Sequence, residues 1–152
     1  MVEILLGREE VNPDKPSNDD RTPLSFAATG GNEGVVNMLL GREDVNPDER
    51  GDCGRTPLWY AAGYGSEGVV KTLLGCEEFS PDKPDNCGRT PLALAVVAMR
   101  PEVVKMLLER EEVNLDKPDN HGRAPLSIAT KSGPKRVLAL LPVQSRKVVT
   151  PV

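Results

Sequence analysis

Cys53, Cys87 and His121 stand 34 residues apart in a 152-residue sequence, and Asp19 holds the same position one interval earlier. Thiolate, imidazole and carboxylate are zinc-ligand types, but a zinc site needs four of them within about 2.3 Å of one ion. Evenly spaced groups on successive structural units do not converge in that way, because packed helices lie roughly 8–10 Å apart. A disulfide is equally remote, since it needs Cα atoms within about 7 Å. The column therefore reads as solvent-facing side chains, with no metal bound. Cys53, Cys76 and Cys87 are expected to be free thiols, an odd number at wide spacing that does not form a disulfide framework.

Gly63-Tyr64-Gly65-Ser66-Glu67-Gly68 spells the glycine string of a dinucleotide-binding turn. That turn works only after a strand, with a helix dipole aimed at the pyrophosphate. Here the string falls between two helical stretches, and Gly30, Gly31 and Gly34 cluster at the matching place one unit earlier, so it reads as a helix end. Hydrolase chemistry also lacks its players, because one histidine and no HExxH segment leave nothing to build a triad or a metalloprotease site. Carboxylate pairs recur at Glu9-Glu10, Glu43-Asp44, Glu77-Glu78 and Glu111-Glu112. Repetition in every unit marks them as solvated scaffold, whereas acid–base catalysis needs one unrepeated, buried carboxyl. The expectation is a protein without catalytic residues or cofactor.

The elements that position these residues follow from a repeat. Arg21-Thr22-Pro23-Leu24 returns as Arg55–Leu58, Arg89–Leu92 and, with alanine for threonine, Arg123–Leu126, each 34 residues on. Val35/Val36/Leu39/Leu40 keeps the same interval through Val69–Leu74 and Val103–Leu108. The chain divides into a half unit at 1–16 and units at 17–50, 51–84, 85–118 and 119–152, forming a single repeat domain. In each unit Thr-Pro opens a first helix, the hydroxyl taking an orphan amide and proline suiting the first turn. Gly31, Gly65 and Gly133 end it in the left-handed conformation. Asn32 or Ser66 caps a second helix with Glu33 or Glu67 in its first turn, and Pro101 and Pro134 open the later ones. The Asn-Pro-Asp segments past Leu40, Leu74 and Leu108 cannot be helical and project as fingers. Such a unit buries its apolar face only by stacking on its neighbours.

Composition agrees with this. Apolar residues make up 38%, charged residues 28% and aromatics only 3%, so the core is built from Leu, Val and Ala, a helical recipe. No apolar run could span a membrane, and the start carries no secretory leader pattern, which points to the cytoplasm or nucleus. Net charge is −4, but the last 22 residues, with Lys131, Lys135, Arg136, Arg146 and Lys147, carry +5 and leave −9 on residues 1–130. An acidic body argues against nucleic acid as partner, and the basic end reads as solvated.

Gly-Arg-Thr-Pro-Leu-x-x-Ala-Ala, the glycine turn, Val-Val-x-x-Leu-Leu and Val-Asn resemble the ankyrin repeat across the whole chain. The period is 34 where that family usually has 33, one residue being lost after Leu-Leu and two gained in the finger. The histidine of the family's Thr-Pro-Leu-His is replaced by Ser25, Trp59, Ala93 and Ser127, and Asp20 and Met99 stand where sister units have glycine. The Asn-Pro-Asp-Lys-Pro finger is similar to long repeat arrays in fungal multidomain proteins. The resemblance implies an all-α solenoid of stacked helix-turn-helix units with β-hairpin-like fingers, whose concave face of finger tips and inner helices recognises another protein.

On that reading specificity lies where units differ on the concave side: Asn18, Asp19, Thr29, Asp52, Cys53, Tyr64, Asn86, Cys87, Val97, Ala98, Asn120, His121 and Lys131. The arginines Arg21, Arg55, Arg89 and Arg123 could face an acidic partner or pair with finger carboxylates such as Asp52 and Asp85. Pairing is preferred, because a residue present in every unit supplies no address. Trp59 is either a packing substitute or partly exposed; Tyr60, in the column of Phe26, Leu94 and Ile128, belongs to the core. Tyr64 has no packing role in the repeat and is the expected anchor of an interface. Ile4 and Leu5 lack half their packing, so the chain is read as part of a longer array or as self-associating through its N-terminal half unit. A structural spacer without a partner is the alternative function, and an enzyme the third.

Overall fold

The chain is described here by a computed structural model that defines residues 12–77, 79–132 and 135–140. Eight α-helices follow one another among the described residues: α1 (Pro23–Thr29), α2 (Glu33–Leu40), α3 (Pro57–Tyr64), α4 (Glu67–Leu74), α5 (Pro91–Val97), α6 (Pro101–Leu108), α7 (Pro125–Ser132) and α8 (Lys135–Leu140). The hydroxyls of Thr22, Thr56 and Thr90 accept from the amides of Ser25, Trp59 and Ala93 at 3.1, 3.2 and 3.1 Å. These caps are buried, and a proline follows each in the first turn. The family's histidine is thus dispensed with while the helix starts stay fixed.

The turn to the outer helix is left-handed in the units at 17–50, 51–84 and 85–118. Gly31 and Gly65 have φ of 66° and 79°. The amides of Asn32, Ser66 and Arg100 reach back to the carbonyls of Ala27, Ala61 and Ala95 at 3.0, 3.0 and 2.9 Å, the helix-ending bond that spans five residues. Met99 makes the same turn with φ of 55°, although its Cβ costs about 1 kcal/mol in that conformation. Met99→Gly is therefore expected to stabilise the protein by about 1 kcal/mol, read from the midpoint of urea unfolding; a lowered midpoint would mean that the methionine side chain contributes packing that outweighs the strain. Asp20, which likewise stands where sister units have glycine, takes φ of 51° at the first finger tip.

One expectation needs correction. Asn32 and Ser66 do precede α2 and α4, but neither side chain makes a capping hydrogen bond; the Glu33 and Glu67 charges at the helix starts remain. The fingers are hairpin-like turns. No strand occurs among the described residues; each tip is a turn closed by two backbone bonds, as in Asp85 N–H to Arg89 O at 3.0 Å and Gly88 N–H to Asp85 O at 2.9 Å.

Helices α1, α3, α5 and α7 stack in one layer, and α2, α4, α6 and α8 in a second, with each inner helix packed on the outer helix of its own unit. The columns Leu24/Leu58/Leu92/Leu126, Val36/Val70/Val104 and Leu39/Leu73/Leu107 are buried between the layers. The fingers are tied across units by buried acids: Asp48 Oδ2 accepts from the Ser80 amide at 2.9 Å, and Lys117 Nζ donates to Asp82 Oδ2 at 3.0 Å. Ile4 and Leu5 of the half unit, Glu9-Glu10, Glu78, Gly133, Pro134, Arg146 and Lys147 lie outside the described residues.

Candidate functional site

The arginine column shows how the finger tips and the inner helices are joined. Asp85 accepts through Oδ1 from the amides of Cys87 and Arg89, both at 2.9 Å, and through Oδ2 from Arg89 Nε at 2.9 Å and its terminal nitrogen at 2.7 Å. Asp119 repeats this with His121 and Arg123. Gly51 and Ser17 stand at that position in the earlier units. Arg55 accordingly meets Asp52 at 3.7 Å, while Arg21 donates to the Thr29 hydroxyl. The pairing alternative therefore describes Arg55, Arg89 and Arg123: each guanidinium is held by an acid of its own finger, and at the last two both Nε and a terminal nitrogen donate to one carboxylate oxygen.

The hydrogen bond from Arg123 is the main reason the Asp119 carboxyl is lowered to about 2, with the Arg123 and His121 amides adding to it. A folded-state pKa below the unfolded value of about 3.9 contributes stability that is present above that value and lost as pH falls toward the folded one. Asp119→Asn is expected to be less stable than the parent at pH 7 and to converge with it near pH 2. Unfolding midpoints at pH 7, 4 and 2 check this, and a gap that persists unchanged at pH 2 would remove the ionised clamp from the account.

Aromatic rings fill the spaces between the arginines. The Arg21 guanidinium lies 4.2 Å from the Phe26 ring centroid and 4.5 Å from that of Tyr60. Arg55 and Arg89 lie over the Trp59 ring at 4.4 and 5.5 Å. Trp59 and Tyr60 meet edge to face at 5.3 Å. Trp59 is only 7% exposed, so of its two readings the structure has the packing substitute, and its ring is not offered to solvent. Tyr60 is core as expected, but Phe26 in the same column is exposed.

The remaining predicted residues divide by their engagement. Thr29 donates to Ser25 O at 2.8 Å besides accepting from Arg21. Asn86 and Asn120 link fingers, their amides donating to Cys53 O and Cys87 O at 2.8 and 2.9 Å. Asn18, Asp19, Cys53, Cys87, His121 and Lys131 are exposed, and Asp52 and Ala98 are half-buried. Tyr64 is 59% exposed and Val97 57%. Tyr64 lies one turn beyond Tyr60, on the same stripe of α3.

The other motifs settle into the scaffold. Gly63 gives room to Leu94, whose Cδ2 lies 2.6 Å from where a Cβ would stand, and Gly65 is the left-handed helix end. Cys53, Cys76 and Cys87 are free. The Cys53 thiol donates to Asp52 Oδ1 at 3.1 Å and is held above its ordinary pKa by that contact; burial raises Cys76. Among the described residues no group of three or more His, Cys, Asp or Glu could hold a metal, and no helix is long and apolar enough to cross a membrane. Buried carboxylates went largely unforeseen: Asp48, Asp82 and Asp119 recur at the 34-residue interval or pair with the column, and the repeated Pro-Asp and Asp-Asn steps were their signal.

A search of curated proteins finds no match. The family model for ankyrin repeats (3 copies) matches residues 1–85 and again residues 73–149. With nearly the whole sequence matched and helix pairs stacked in two layers, the chain belongs to the ankyrin repeat family.

Proposed function

We propose that this chain is a recognition module that binds another protein on its inner-helix face, the concave side of a solenoid of this kind. Ankyrin repeats are generally protein-interaction modules, and the family is typically non-enzymatic. One observation carries the finer reading: the buried columns repeat, while the positions at the C-terminal ends of the inner helices change from unit to unit. Thr29/Gly63/Val97/Lys131 and Gly30/Tyr64/Ala98/Ser132 share no residue type. Of the five large apolar side chains exposed among the described residues, Phe26, Tyr64 and Val97 lie on inner helices, Met38 on an outer one and Met99 in a turn between the two. Divergence over a rigid, clamped support is what an address on a common scaffold requires.

The test is position-resolved cross-linking in cell extract, with a photoreactive phenylalanine derivative in place of Phe26 or Lys131 on the inner helices, or of Met38 or Glu109 on the outer side. Discrete adducts from the first two and not the last two support the proposal. Adducts confined to the outer positions overturn the face. No discrete adduct from any of the four favours a spacer.

A further inference from the structure

The arginine–aromatic packing is incomplete in one place. The 34-residue translation that carries Arg55 to Arg89 and Arg89 to Arg123 carries Trp59 to Ala93. Where Trp59 lies under two guanidinium groups, the next unit therefore has a methyl group. A cleft of about 170 Å³ opens there, lined by Arg89, Ala93, Leu94, Val97, Arg123 and Ile128, with Asp119 at its edge. An apolar cavity of about 150 Å³ accepts a benzene ring, so this one has room for a single aromatic side chain.

We infer that the cleft between α5 and α7 receives one tryptophan side chain of a partner protein, which completes the stack as Trp59 does one unit earlier. The floor of Ala93, Leu94, Val97 and Ile128 is apolar and suits the ring's burial. The walls select aromatic over aliphatic. Asp85 and Asp119 fix the Arg89 and Arg123 guanidiniums in plane, and a guanidinium held over a ring attracts its negative face. The walls also disfavour an acidic side chain, because each guanidinium already holds a carboxylate at 2.7 Å and a second anion would meet that first one. Neither arginine has to move or lose freedom on binding, so the site is preorganised. The inference rests on the proposed protein-binding face and names the chemistry it takes there.

The test uses N-acetyl-L-tryptophanamide as probe, with N-acetyl-L-leucinamide as its aliphatic control, titrated into the full chain carrying labelled methyl groups. The expected result is saturable upfield ring-current shifts at Ala93, Leu94, Val97 and Ile128, with a dissociation constant on the order of millimolar. The leucine probe should bind at least fivefold more weakly. Ala93→Trp fills the cleft with the chain's own ring and should abolish the response. Arg123→Ala, which leaves the floor in place, should weaken the tryptophan probe at least threefold without changing the leucine probe. Equal binding of the two probes, shifts centred elsewhere, or a response that survives Ala93→Trp would each overturn the inference. The result separates from that of the proposed function: inner-face adducts without ring binding defeat the cleft alone, and ring binding with adducts only from the outer helices defeats the protein-binding face.

Discussion

Trp59→Ala is expected to lower stability by about 3–5 kcal/mol, the largest effect of any single truncation on the inner helices. The ring is 7% exposed, lies in the capped first turn of α3, contacts Tyr60 edge to face at 5.3 Å, and carries Arg55 at 4.4 Å on its π system. Removing it leaves a cavity in the middle of the stack, where two neighbouring units depend on the same contacts. Its buried Nε1 has no hydrogen-bond partner, so the loss comes from packing and cation–π contact and not from a broken hydrogen bond. Trp59→Phe should therefore recover most of the stability, the remaining deficit coming from the smaller ring. Against a total of about 5–15 kcal/mol for a domain, the alanine variant would be close to unfolded at 37 °C. Urea unfolding followed by far-UV circular dichroism gives the number. A loss under about 1 kcal/mol would contradict the buried placement.

Much of this architecture was legible because its chemistry repeats. Thr-Pro at a fixed interval specifies a capped helix start whatever surrounds it, and the Val-Val and Leu-Leu pairs specify one buried face per helix. Glycine at 31 and 65 announced a left-handed turn. At 99 the side chain pointed the other way, yet Met99 takes the same φ. The frame of α5 and α6 imposes the turn, and a strain of about 1 kcal/mol is too small to oppose their packing. The absent capping bonds at Asn32 and Ser66 show the reverse limit: residue type marked the position but not the hydrogen bond.

The site was less legible because its contacts cross units. Arg21 meets Tyr60 and Arg89 meets Trp59 only once inner helices are stacked in register, so no local pattern announces them. Asp85 could be named beforehand as a pairing acid, but that Asp119, 34 residues on, is the acceptor for Arg123 depends on the closed finger turn. The cleft beside Ala93 is the absence of a side chain, visible only once the neighbouring Trp59 ring is placed between its arginines. Tyr64 could be singled out beforehand, since an aromatic where sister units have Gly30, Ala98 and Ser132 answers no packing demand.

Tyr64 is the residue whose truncation separates a partner held on the inner-helix face from one held elsewhere. Its side chain is 59% exposed at the end of α3, so truncation removes contact area offered outward and leaves the core columns untouched. Large amphipathic rings dominate interface energetics, with truncation commonly costing about 2 kcal/mol. The measurement is a calorimetric titration of the cross-linked partner, once identified, into the parent and into Tyr64→Ala, alongside the melting temperature of each. Tyr64→Ala should lose affinity at least tenfold, about 1.4 kcal/mol, with the melting temperature unchanged within a degree or two, as expected for an exposed site (about 0.5 kcal/mol or less). Unchanged affinity, or a melting temperature that falls together with binding, would contradict a partner held on the inner-helix face.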